Sequence, residues 1–162
     1  MEFKKAINQK EFPNPQVEAI LNMMYSANHF ESIMRKLLDE FDLSHEQFNV
    51  LRILRGNHPG AYELNEIRDR MLNSWSNVSR LVEKLRKKGF VTRQPKPENR
   101  RKVEIKITDK GLNFLEQVDK KLTTKELMEK TLDHDQARKL STLLDQVRAN
   151  LDKVFNKPDS LE

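Results

Sequence analysis

The 162-residue chain has no cysteine, one tryptophan, two tyrosines and only four glycines. Without thiols it can form no disulfide, thiolate metal site or thiol-based redox sensor. Its four histidines, His29, His45, His58 and His134, are scattered and show none of the spacings of a zinc site. Also missing are a G-x-S-x-G elbow, a phosphate-binding glycine loop and a dinucleotide fingerprint, so neither an enzyme nor a cofactor is expected. No apolar run approaches the roughly 20 residues that cross a bilayer, and the basic start MEFKKAINQKEFPNP is not followed by an apolar signal region. These absences lead us to expect a cytoplasmic protein with no membrane partner. Hydrophobic residues are 36% of the chain against 34% charged, and the mean hydropathy is −0.80. A large self-contained core is hard to build from that composition, so part of the apolar surface is expected to be covered by a partner subunit. The length suits one domain, 1–162.

What the chain does have is basic charge in one place. Between residues 74 and 106, eleven Lys and Arg face three acids, so this stretch carries +8 of a net +5 and the remainder of the chain is −3. A basic surface on an otherwise mildly acidic protein is the electrostatic footprint of a nucleic-acid binder, although a solvated helix face has the same composition.

Periodicity supplies the architecture. Asn14-Pro15 opens a helix reaching to about residue 41. Its apolar residues form two rows, Met23, Ala27, Phe30, Met34 and Leu37 beside Val17, Ile20, Leu21 and Met24. A helix apolar on two sides contacts its own lobe and something else. Ser44 and Gln47 form a capping box for the next helix, which ends at the Gly56–Gly60 segment. A short helix follows with Leu64, Ile67 and Met71 on one side. Asn73 or Ser74 then caps a basic helix carrying Val78, Leu81, Val82 and Leu85 and ending at Gly89. After Gly89 the period changes from 3.6 to 2. Residues 90–94 and 103–107 read as two strands, joined by a loop from Pro95 to Arg101 in which proline breaks the ladder. Thr108 caps a helix to about residue 129, and Asp133 with Gln136 opens a last one whose apolar stripe runs from Ala137 to Phe155. The expected fold is mainly α (α+β). A winged helix-turn-helix lobe with a two-stranded wing, about 44–108, is flanked by N- and C-terminal helices, about 15–41 and 109–155.

On a helical wheel the core side of residues 74–88 holds Val78, Leu81, Val82 and Leu85, and Trp75 points inward beside Val82. Ser76, Asn77 and Arg80 face outward near the N-terminal end, with Ser74 at its head. Arg and Asn are the side chains that fork onto guanine and adenine edges, and that end of a recognition helix reaches the major-groove floor. Lys84, Lys87 and Lys88 lie further along, as point charges suited to phosphates. At the hairpin tip Arg100 and Arg101 suit the adjacent minor groove, with Lys96, Asn99 and Lys102 beside them. The same pattern also suits a winged-helix module that binds an acidic protein.

The stretches LSHEQFNVLRIL, SNVSRLVEKLRKKGFVTR and PENRRKVEIKITDKG resemble the second helix, recognition helix and wing of the MarR family of bacterial transcription regulators. The resemblance runs from about Leu43 to Leu115. It implies a homodimer with interleaved terminal helices, binding a pseudo-palindromic double-stranded operator, most often as a repressor. Many MarR-like proteins bind small aromatic or phenolic effectors between the dimerisation helices and the winged lobe, and here Tyr25, His29, Phe48, Met71 and Trp75 are the candidates to line such a crevice, with plain packing in the core as the alternative reading of each. Two positions depart from the family. The wing usually reads Asp-Arg-Arg, where this chain has Asn99-Arg100-Arg101, so an amide replaces the carboxylate that would hold a wing arginine. Arg68 stands where many members carry a small residue, which would alter the approach of its helix to the recognition helix.

Overall fold

The computed structural model of the chain describes residues 2–73, 75–96, 99–122 and 129–155, with residues 99–101 and 122 described by backbone alone. It divides into two compact units, Met1–Val118 and Asp119–Glu162.

The first unit opens with a short helix, α1 (Phe3–Ala6), which is not a loose tail. Phe3 stacks on Phe12 with ring centroids 5.7 Å apart and tilts against Tyr25 of α2 (Pro15–Asp39) at the same distance. Lys4 pairs with Glu18 at 3.2 Å, so the N-terminal segment lies along α2 as an arm. Asn14 accepts the Val17 amide and Pro15 fills the first helical turn, where it sacrifices no hydrogen bond. The Ser44–Gln47 capping box is fully made at the start of α3 (His45–Gly56), the helix that supplies most of the core with Phe48, Val50, Leu51 and Leu54.

Next comes a strand that periodicity cannot show. β1 (Tyr62–Glu63) is too short to alternate, yet it pairs antiparallel with β3 (Asn99–Ile107), Tyr62 opposite Ile105 and Glu63 opposite Glu104. The wing is therefore one part of a three-stranded sheet ordered β1-β3-β2. β2 (Val91–Lys96) runs further than expected, and Pro95 belongs to the strand instead of ending it. It is tolerated because β2 is an edge strand, with a register shift between Pro95 and Lys96.

The helix-turn-helix comprises α3, α4 (Leu64–Arg68) and the recognition helix α5 (Val78–Lys87). Ile67 of α4 and Val78, Val82 and Leu85 of α5 are buried together with Ile105 and Ile107 of the sheet. α5 ends in a Schellman motif. The Phe90 amide donates to Leu85 O at 3.0 Å and the Gly89 amide to Arg86 O at 2.9 Å, while Gly89 takes φ +77°, a conformation that favours glycine. Thr108 Oγ1 donates to Gly89 O at 2.8 Å and accepts the Gly111 amide at 3.1 Å, coupling that turn to the start of α6 (Asp109–Leu122). Leu115 and Val118 of α6 complete the core.

In the second unit Asp133 and Gln136 form the expected reciprocal cap, with bonds of 2.8 and 3.1 Å, before α7 (His134–Phe155). No residue of α7 is buried. Leu140, Leu143, Leu151, Val154 and Phe155 all stand exposed. On α2 Val17, Leu21, Met24, Phe30 and Ile33 are exposed too, while Met34 and Leu38 enter the core. No helix among the described residues is long and apolar enough to cross a membrane.

Candidate nucleic-acid interface

The start of α5 decides which side chains it can offer. Asn73 does not cap it. Its Oδ1 accepts the Trp75 amide at 3.1 Å and its carbonyl accepts the Ser76 amide at 3.2 Å, a local turn that competes with helix. The cap is Asn77, whose Oδ1 accepts the Arg80 amide at 3.0 Å, so the helix begins at Val78.

That offset changes three assignments. Ser76 does not face outward, because its hydroxyl oxygen is shut off from solvent, with no hydrogen-bond partner among the described residues. Asn77 is exposed, but the oxygen needed for a two-point contact with adenine is engaged in capping. Trp75 does not point inward beside Val82 but is 94% exposed, since it precedes the helix and the wheel does not apply to it. Ser74 lies outside the described residues.

Arg80, Lys84 and Lys87 make no ion pair among the described residues, and with Asn77, Ser79, Glu83 and Arg93 they line one open depression on the outer face of α5. Ser79 and Arg93 were not among the expected contacts. Arg93 sits on β2, so only the folding of the strand back along the helix brings it to this face.

The remaining cations near α5 are internally balanced. Arg86 donates twice to Glu83, at 2.8 and 2.9 Å, which lowers the Glu83 carboxyl below its usual range and raises the guanidinium. Lys88 is not free for phosphate. Its ammonium donates to Asp42 Oδ2 at 2.8 Å and to the Asp42 carbonyl, and that hydrogen bond lowers the Asp42 carboxyl. In the wing, Glu63 gathers Lys102 at 3.2 Å and Lys96 at 3.5 Å, and its carboxyl is lowered chiefly by the Lys102 hydrogen bond. The side chains of Asn99, Arg100 and Arg101 lie outside the described residues, and with them the question of what holds a wing arginine. Arg68 is exposed beside Asp69 at 3.6 Å, so it does not wedge between α4 and α5.

The five residues named for an aromatic crevice stand in different surroundings within a single chain. Tyr25 lies against Phe3 and stacks on His29 at 6.3 Å, Phe48 is 3% exposed within the core, and Trp75 stands in solvent. Met71 alone of the five lines a cavity of about 470 Å³, and the walls there are mostly polar, Asn28, Glu31, Arg35, His45, Glu46 and Asn49 among them.

A recognition helix presenting cations on its outer face, backed by a small sheet, defines a winged helix-turn-helix of the DNA-binding class. Comparison with known proteins agrees. The MarR family model matches residues 43–103. The HTH-type transcriptional repressor IacR of Pseudomonas putida is 30% identical over 124 residues, 75% of this chain and 72% of that one. A MarR transcription factor from Planctomyces limnophilus superposes with a TM-score of 0.63 at 32% identity, covering 86% of this chain and 99% of that one. A MarR mutant from E. coli, solved with operator DNA, shares the fold with a TM-score of 0.68 at 22% identity over 85% of this chain and 99% of its own. The chain belongs to the MarR family. It is a DNA-binding transcriptional regulator and not an enzyme, and the acidic-protein module is not favoured.

Proposed function

We propose that the protein acts in the cytoplasm as a homodimeric repressor that reads a pseudo-palindromic operator with two copies of α5. The observation that carries this reading is the set of cations on the outer face of that helix, Arg80, Lys84 and Lys87, which make no ion pair among the described residues and are joined by Arg93. Arg80 is the base reader, while Lys84, Lys87 and Arg93 hold phosphates. Arg100 and Arg101 of the wing take the flanking minor groove. The exposed apolar rows of α2 and α7 support a second copy as partner, because a stripe that long is not left in water without reason. Two symmetric lobes meeting one face of a duplex require half-sites about 10 bp apart. The operator complex of the E. coli relative supplies the precedent for the duplex as ligand.

The test is fluorescence anisotropy with the duplex upstream of the protein's own coding region and a shuffled control, over a salt series. Preference for the native duplex supports the reading. If the two bind equally, and selection from a random library also enriches nothing, the reading fails. Leu143→Glu, on the exposed stripe of α7, is expected to yield monomers in sedimentation and to abolish tight binding; a stable dimer in that variant would remove α7 from the interface.

A further inference from the structure

Among the described residues Trp75 is the most exposed large apolar side chain, and it is the only tryptophan in the sequence. We propose that its indole is a DNA-contacting group that packs on the C5-methyl of a thymine in the major groove, an inference that rests on the regulator reading above.

The position is held from both sides. The Trp75 amide is tied to Asn73 Oδ1, the Ser76 amide to the Asn73 carbonyl, and the helix cap follows at Asn77. The Ser76 hydroxyl faces inward while the indole next to it faces solvent. The ring thus stands outward two residues before the cap of the recognition helix and five before Arg80. In helix-turn-helix proteins this end of the helix meets the groove floor.

The chemistry narrows what the ring can meet there. An indole has one N–H donor and no charge, so it adds little to phosphate binding. In the major groove the thymine methyl is the apolar feature of the base edges, and apolar side chains read it. The charge around the site favours a polyanion as occupant, since the same helix end leads into Arg80, Lys84 and Lys87, with Arg93 alongside. Leu72, on the same connection, is exposed as well, at 81%. The other exposed apolar rows belong to α2 and α7, where a second copy of the chain is the better occupant.

Because there is one tryptophan, its emission reports this site alone. The experiment titrates the full chain with a duplex selected from a random-sequence library, and with the same duplex carrying deoxyuridine for thymine. Expected are quenching of Trp75 on binding and an affinity for the deoxyuridine duplex about fourfold lower per contacted methyl. Trp75→Ala should bind both duplexes equally, and Trp75→Phe should keep part of the preference. The side chain is in water, so neither variant should melt earlier. Binding with unchanged Trp75 emission would overturn the inference while leaving the regulator reading intact, as would an undiminished thymine preference in Trp75→Ala. Emission that shifts on dilution without DNA would place the ring against a second copy and overturn it as well. If selection enriches no sequence, the regulator reading falls and takes this one with it.

Discussion

The Lys88 ammonium donates to the Asp42 carboxylate at 2.8 Å and to the Asp42 backbone carbonyl, joining the end of the recognition helix to the connection between α2 and α3. Asp42 has φ +49°, so this connection is a sharp turn held in part by a side chain 46 residues away. A residue that charge alone would assign to phosphate is spent on the fold.

Lys88 and Lys87 should therefore behave differently although they are neighbours. Lys87→Ala is expected to weaken binding to all duplexes alike and to reduce the slope of log affinity against log salt by about one. Lys88→Ala should leave that slope unchanged and lower the melting midpoint. A salt series on both variants, with thermal melts, decides between the two roles.

The Asp42 pair also sets a pH dependence. Lys88 lowers the folded-state pKa, so the pair's contribution is complete above the unfolded value, about pH 4, and is lost as the pH falls through the folded one. The melting difference between wild type and Asp42→Asn should be full at neutral pH and vanish in acid. A difference that persisted in strong acid would mean that the carboxylate charge is not what matters.

At the head of the helix, Asn77→Ala should reduce stability by about 0.5 to 2 kcal/mol through loss of the cap. Asn77→Ser, which keeps an acceptor for the Arg80 amide, should restore most of it and leave base preference as it was. Ser76→Ala should be neutral or stabilising by up to about 1 to 3 kcal/mol, because it removes a buried hydroxyl that has no partner among the described residues. Chemical denaturation measures both, and a large loss in Ser76→Ala would mean that the hydroxyl does find a partner.

Arg80→Ala should weaken the cognate site by about 1 to 3 kcal/mol and relax preference at one base pair. Selection from a random library with the variant checks this. A uniform loss on every sequence would reduce Arg80 to a phosphate contact.

In the wing, Glu63→Gln should release Lys96 and Lys102 and speed amide exchange in β2 and β3 while sparing α3. The Glu63 carboxyl is lowered by the same lysines, so acid should loosen the wild-type hairpin in the same way. Exchange rates in wild type and variant should converge as the pH falls below the usual glutamate range.

Local chemistry by itself determined the long helices, the Ser44 and Asp133 caps, the Gly89 stop and the basic character of α5, since each depends on neighbours within about one helical turn. The MarR resemblance was legible for the same reason, being carried by continuous stretches. Tertiary structure decided the rest. β1 exists only because β3 lies beside it, and Pro95 stays in a strand only because β2 is the edge. Asn73 offered a cap that the chain takes four residues later, at Asn77, and this shift turned Ser76 inward and Trp75 out. Whether a cation is free for DNA was equally unreadable. Lys88 and Lys87 are adjacent in sequence, and only the approach of Asp42 from a distant turn separates an ion pair from an open charge.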